Sequence, residues 1–198
     1  MVLLAGLLGL LIGSFLNVVV WRLPRGESLS HPASHCPTCG HPIRAYDNIP
    51  VFSWVLLRGR CRDCGARISP RYPLVELATG AAFGATAAWV GWSILLPFAF
   101  WFVAASIAMI LIDVEHHRLP NSLTLSTYVV VVAGLAITAM LEQEWPAFGR
   151  AIAGGFVLAL IYAALATAFP RGMGWGDVKL ALVVGTAMAW VGWGALVV

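Results

Sequence analysis

LATGAAFGATAAWVGWSILLPFAFWFVAASIAMILI, residues Leu77–Ile112, is a run of 36 residues without one charged side chain. A helix rises about 1.5 Å per residue and the hydrocarbon core of a bilayer is about 30 Å thick, so one crossing takes about 20 apolar residues. The run is too long for one crossing and suits two. Gly91-Trp92-Ser93 followed by Pro97 supplies the turn between them. Four further runs are as free of charge: Met1–Trp21, Leu119–Leu141, Ala151–Pro170 and Leu180–Val198. Each suits one helix, so the chain reads as an all-α polytopic membrane protein of about six transmembrane helices.

The rest of the composition agrees. Charged residues make up 11% of the 198, against about 25% in a soluble domain. So few charges cannot form a water-facing shell around buried helices. They are also segregated: eight of the twelve arginines and lysines fall between Arg22 and Arg71. By the positive-inside rule that segment is cytoplasmic and the N-terminus lies outside. Alternation then puts Arg118, Arg171 and Lys179 inside as well. The outer loop LEQEWPAFGR, Leu141–Arg150, carries Glu142, Glu144 and one arginine. Met1–Trp21 has neither a basic start nor a small-residue cleavage site, so it reads as a retained helix. Three regions follow: a first helix at 1–21, a polar loop at 22–73 and a membrane region at 74–198. The net charge of +3 is a topology signal and does not argue for nucleic acid.

All four cysteines lie in the polar loop, as CPTCG (Cys36, Cys39) and CRDCG (Cys61, Cys64). Each Cys-x-x-Cys turn presents two thiolates, and the following glycine permits the tight turn behind them. Together the turns suit one tetrahedral zinc ion, with 21 residues between the pairs against a usual spacer of about 15–20. Two disulfides or a redox pair fit a reducing cytoplasm less well. His35, next to Cys36, is a substitute ligand on adjacency alone. A loop this short has little core of its own, so a structural metal answers a stability problem. Its basic surface suits anionic lipid headgroups.

Three acids remain outside the loops and the helix entrance at Glu76: Asp113, Glu115 and Asp177. Asp113 ends the third helix, Asp177 begins the sixth, and the topology puts both at the cytoplasmic edge. Asp177 has an ordinary reading as a helix cap. Asp113 opposes the helix dipole, and acids in membrane segments are rare and usually functional. Glu115, His116 and His117 read as solvated loop residues. Two carboxyls in a site of low dielectric share one proton and act as base and acid on a single water. That chemistry hydrolyses a peptide bond without a metal. Gly172, Gly174 and Gly176 leave the backbone bare where an extended substrate approaches Asp177.

GWGDVKL (Gly174–Leu180) resembles the GxGD motif of membrane aspartyl proteases, and the VKLA that follows the glycine-aspartate matches bacterial prepilin peptidases in particular. GSFLNVVVWRLPRG (Gly13–Gly26), the cysteine-bearing stretch Ser34–Gly80 and IDVEHHRLPN (Ile112–Asn121) follow the same family's order. The chain is therefore identified as similar to the type IV prepilin leader peptidases of the cysteine-containing, bifunctional type. The resemblance implies cleavage of the short basic leader of type IV pilins and type II secretion pseudopilins after a glycine, with Asp113 and Asp177 as the catalytic pair. It also implies methylation of the new N-terminal amine by S-adenosylmethionine, and residence in the bacterial inner membrane.

For the methyl donor, Asn17, Asp47, Asn48 and Glu76 are the polar residues of these blocks near the cytoplasmic face. Capping and loop hydrogen bonds explain the first three; Glu76 is the candidate, with pairing to a loop arginine as its other reading. The family usually has about eight helices, so the expectation is that two C-terminal helices are missing here. Prepilin or pseudopilin substrates bring their own apolar helix and are expected laterally from the bilayer. The competing classes are a non-catalytic adaptor docking through its zinc loop and a methyltransferase that has lost cleavage.

Overall fold

The computed structural model describes residues 1–169 and 173–197. Arg171, counted above among the cytoplasmic cations, and Gly172, counted among the glycines before Asp177, lie outside the described residues. Seven helices occur in the order α1 (Val2–Arg22), α2 (Phe52–Leu56), α3 (Arg71–Val90), α4 (Leu96–His116), α5 (Asn121–Glu142), α6 (Trp145–Ala168) and α7 (Trp175–Val191). Among the described residues there is no strand, only two isolated bridges in the loop between α1 and α3. Among the described residues six of these helices are long, where six crossings were expected. Among the described residues four spans, Val2–Arg25 and helices α4, α5 and α6, are long and apolar enough to cross a membrane, and α3 and α7 are not among them. Helix α3 ends at Gly91, whose φ of 72° is cheap only for glycine, and Pro97 sits in the first turn of α4, where its missing N–H costs nothing.

The chain divides into two units, Met1–Gly91 with Ser106–His116 and Trp92–Ala105 with His117–Val198; the division falls within α4. In the first unit α1 and α3 pack along a seam of small residues. A Cβ added at Gly9 would stand 2.7 Å from Thr79 O and 2.8 Å from Gly80 Cα, and one at Gly13 2.7 Å from Glu76 Cα. Helix backbones approach this closely in membranes because lipid offers no hydrophobic drive between helices and contact area must come from proximity. Gly9→Leu is therefore expected to destabilise this unit by about 1–3 kcal/mol. Thermal unfolding in detergent reads the loss; an unchanged midpoint would show that the seam adjusts freely.

In the second unit the core of Val131, Leu135 and Ala151 is packed by Leu95, Phe102, Phe148, Ala187 and Trp190. Gly154 and Gly155 of α6 lie against Gly185, Thr186 and Ala189 of α7. Arg150 donates from Nε to Ala189 O (2.8 Å) and from Nη2 to Trp190 O (2.7 Å). It thereby satisfies carbonyls that the end of α7 leaves unpaired. The one arginine that departs from the basic-residue pattern thus has a structural task, independent of topology.

Candidate active site and thiol cluster

Asp113 does not end its helix. Helix α4 continues to His116, so Asp113 lies one turn inside, exposed, and Glu115 is helical too. Glu115 is not in a loop: it is exposed in the last turn of α4 and forms an ion pair with Arg71 at the start of α3. His116 is only partly exposed, and its Nε2 is buried without a hydrogen-bond partner among the described residues. Sequence alone placed both in the loop because Leu119-Pro120 marks where a helix must already have stopped, and the last turn before it carries no apolar signal.

Asp177 belongs to the second unit, Asp113 to the first. Asp177 is the third residue of α7, and its Oδ2 accepts the Gly174 N–H at 3.0 Å. A carboxylate at this position satisfies an orphan donor of the helix start and meets the positive end of its dipole. Gly174 is extended (φ −94°, ψ 159°), whereas Gly176 is already helical and the place of its missing Cβ faces Leu119 at 3.4 Å. Two residues on, Lys179 Nζ donates to Asn121 Oδ1 at 2.7 Å, tying α7 to the start of α5. A cavity of about 240 Å³ opens beside this bond, lined by Thr124, Leu125, Tyr128, Leu182 and Val183.

The polar loop brings the four cysteines together. Their sulfurs all lie within 4.8 Å of one another, a set that could hold one metal ion, and Cys36 Sγ and Cys64 Sγ are 3.8 Å apart. None forms a disulfide. The two turns are built alike. Gly40 N–H bonds Cys36 O and Cys36 N–H bonds His41 O; Gly65 N–H bonds Cys61 O and Cys61 N–H bonds Ala66 O. Gly40 and Gly65 have φ of 73° and 72°, the left-handed conformation that closes each turn. Backbone N–H groups of Cys39 and Thr38 pull the Cys36 thiol down to about 6, while burial and the neighbouring thiols push Cys39 up to about 12 and Cys64 upward as well. His35 Nδ1 lies 3.2 Å from Ala33 O.

Ion pairs bind the turns to the rest of the loop. Arg62 clamps Asp47 with three contacts of 2.6–3.1 Å, and Arg44 reaches Asp63 at 3.1 Å. Hydrogen bonds from Arg62 and its charge hold the Asp47 carboxyl below the usual carboxylate range. A depressed carboxyl contributes stability that is present above the unfolded value of about 3.9 and lost as pH falls through the lower folded value. Titrating Asp47 by carboxyl NMR should give a midpoint below about 3.9, returning toward it in Arg62→Gln; equal midpoints would refute the clamp.

Among the described residues Glu76 pairs with no loop arginine. Only 7% exposed, it accepts the Val51 N–H at 2.7 Å and meets the Ser14 hydroxyl. Val51 has φ of 61°, a costly conformation for a β-branched residue, and the carboxylate holds it there. Asn17, 8% exposed, donates to Gly13 O and Tyr72 O, both at 3.3 Å. Asn48 is exposed at the end of a short 3₁₀ turn.

Comparison with known proteins covers both parts of the chain. A model of the Bacterial Peptidase A24 N-terminal domain matches residues 7–90, and one of the Type IV leader peptidase family matches residues 100–198. A prepilin leader peptidase/N-methyltransferase of Myxococcus xanthus is 40% identical over 92% of this chain and 55% of its own length. A type 4 prepilin-like proteins leader peptide-processing enzyme of Escherichia coli is 41% identical over 93% of this chain and 74% of its own. A prepilin leader peptidase/N-methyltransferase of Stutzerimonas stutzeri is 39% identical over 98% and 74%. The chain thus spans little more than half the length of the first relative and about three quarters of the other two. No solved structure matches significantly.

Proposed function

The chain belongs to the type IV leader peptidase family, and from that premise we propose that it is an integral membrane aspartic endopeptidase. It cleaves the short basic leader of type IV prepilins and pseudopilins after a glycine and then methylates the exposed N-terminal residue. The observation that carries this reading is the match to the family across both halves of the chain, with Asp113 and Asp177 standing in the IDVEHHRLPN and GWGDVKL blocks.

The chemistry follows from the two carboxyls. Of the pair, one is ionised and takes a proton from water as the oxygen attacks the scissile carbonyl. The other gives its proton to the carbonyl oxygen, and collapse of the tetrahedral adduct returns a proton to the leaving amine. No metal enters these steps. Gly174, extended ahead of Asp177, leaves backbone room for a substrate strand, and Gly176 keeps the first turn of α7 free of a side chain on that side. The substrate arrives laterally from the bilayer and packs against α4 and α7. Crosslinks found only at the α5–α6 connection, around Gln143 and Glu144, would sink that route.

Cys36, Cys39, Cys61 and Cys64 are proposed to hold one structural zinc ion. A tetrahedron with Zn–S bonds of about 2.3 Å has edges of about 3.8 Å, in line with the sulfur spacing described above. S-adenosylmethionine is the proposed methyl donor, supplying an activated methyl for the new amine, which loses one proton to become nucleophilic. Glu76 is proposed to contribute to the methyl-donor site; its carboxylate accepts the Val51 N–H and so also ties the loop to α3. The proposed location is the bacterial inner membrane, with the N-terminus outside, residues 22–73 as the cytoplasmic zinc loop and residues 74–198 as the protease region.

The test is a reconstituted chain, a prepilin precursor and S-adenosylmethionine. Release of the leader and mass gain of one methyl on the product support the reading; an intact precursor with methylation of pre-cut pilin would leave only the transferase.

A further inference from the structure

The first unit holds a cavity of about 300 Å³ between the end of α1 and the segment after it. One side is apolar: Leu11, Phe15 and Val18 recur at helical spacing on the face of α1 that leads to Arg22. Leu11 and Phe15 are 60% and 48% exposed, and they belong to a span long and apolar enough to cross a membrane. The other end is polar, lined by Ser30, Ser34, Asn48 and Arg22.

Arg22 is the odd member. It is only 8% exposed, and among the described residues no carboxylate pairs with it. Nη1 donates to Ser28 O at 2.9 Å and Nη2 to Pro32 O at 2.7 Å. Two carbonyls orient the guanidinium but leave its charge uncompensated and part of its five donors unused. A buried cation without a counter-charge is costly, so the cavity asks for an anion. From Leu11 to Arg22 the helix axis runs about 16 Å. That is far longer than a free phosphate fills, and its upper part is lined by the exposed apolar side chains of Leu11 and Phe15.

We propose that this cavity binds one anionic phospholipid. Its phosphate meets Arg22 with help from the Ser30 and Ser34 hydroxyls, and an acyl chain lies along Leu11, Phe15 and Val18. Ser34 stands two residues before Cys36, so the bound headgroup ties the thiol-bearing loop to the membrane surface. The proposal rests on the membrane reading of α1 and is independent of the catalytic one.

The experiment uses the full chain in phosphatidylcholine vesicles containing a minor share of phosphatidylglycerol with a photoactivatable acyl chain. Arg22→Gln is expected to lower labelling of α1 roughly tenfold. Arg25→Gln, the same charge change at an exposed arginine stacked on Trp21, is expected to stay within about twofold. Ser34→Asp sets a carboxylate at the phosphate end without touching the bonds of Arg22; it should also lose about tenfold and decides the matter if Arg22→Gln fails to fold. The proposal is overturned if Arg22→Gln or Ser34→Asp labels like the parent, or if Arg25→Gln falls as far. Displacement of the label by inorganic phosphate or S-adenosylhomocysteine also overturns it, since the cavity would then take a small soluble ligand.

Discussion

Asp113→Asn and Asp177→Asn are each expected to reduce leader cleavage to about one-thousandth of the parent rate, within the range of one lost acid–base group. Both substitutions spare the fold. Asp113 is exposed and forms no ion pair among the described residues. Asp177 offers an acceptor to the Gly174 N–H, and an asparagine oxygen can take its place. The double variant should be no worse than either single one, because both carboxyls serve the same step and their losses are not additive. The assay follows precursor and mature pilin with time in reconstituted membranes, with thermal unfolding as the control for folding. Cleavage retained by both single variants would refute the aspartic mechanism. Methylation of a pre-cut pilin should survive in both, since the amine is methylated after the peptide bond is gone.

Removal of the metal ligands should have the largest effect on structure. The parent is expected to carry one zinc per chain, and Cys36→Ser or Cys61→Ser to carry almost none. Each variant takes one sulfur from a different turn of the cluster. Structural zinc contributes about 10–16 kcal/mol in small metal-folded peptides, far more than the exposed ion pairs Arg44–Asp63 and Arg62–Asp47 can supply. Without it the loop should open to trypsin at Arg58, Arg60, Arg62 and Arg67, while the α1–α3 seam stays protected. Elemental analysis and limited proteolysis read the two effects. A loop cut at the same rate with and without chelator would show that the thiols are not its keystone. Sensitivity to a reductant in place of a chelator would restore the disulfide reading, which needs sulfurs about 2.05 Å apart rather than the 3.8 Å between Cys36 and Cys64.

Much of this was legible in the residues themselves. The long helices follow from charge-free runs, and four spans are long and apolar enough to cross a membrane. The thiol cluster follows from CPTCG and CRDCG, since identical spacing builds identical turns, here hydrogen bond for hydrogen bond. Other points depended on partners remote in sequence. Glu115 finds Arg71 and Glu76 finds the Val51 amide, and nothing local distinguishes either acid from a solvated one. Arg150 looks like an exception to the charge pattern until the carbonyls at the end of α7 give it a use. Arg22 looks like one more basic flank of a membrane helix until its burial appears.

The sequence by itself determined the class of the protein, the number of its long helices, the meeting of its cysteines and the family in which Asp113 and Asp177 have their place. These are properties of periodicity, charge and short spacing, which act within a few residues or through the uniform demand of the bilayer. Only the tertiary structure decided which buried polar groups have partners: the clamp of Glu76 on Val51, the task of Arg150 and the uncompensated charge of Arg22. Partnership of that kind is set by packing, which places atoms tens of residues apart within hydrogen-bond reach and leaves no trace in either segment alone.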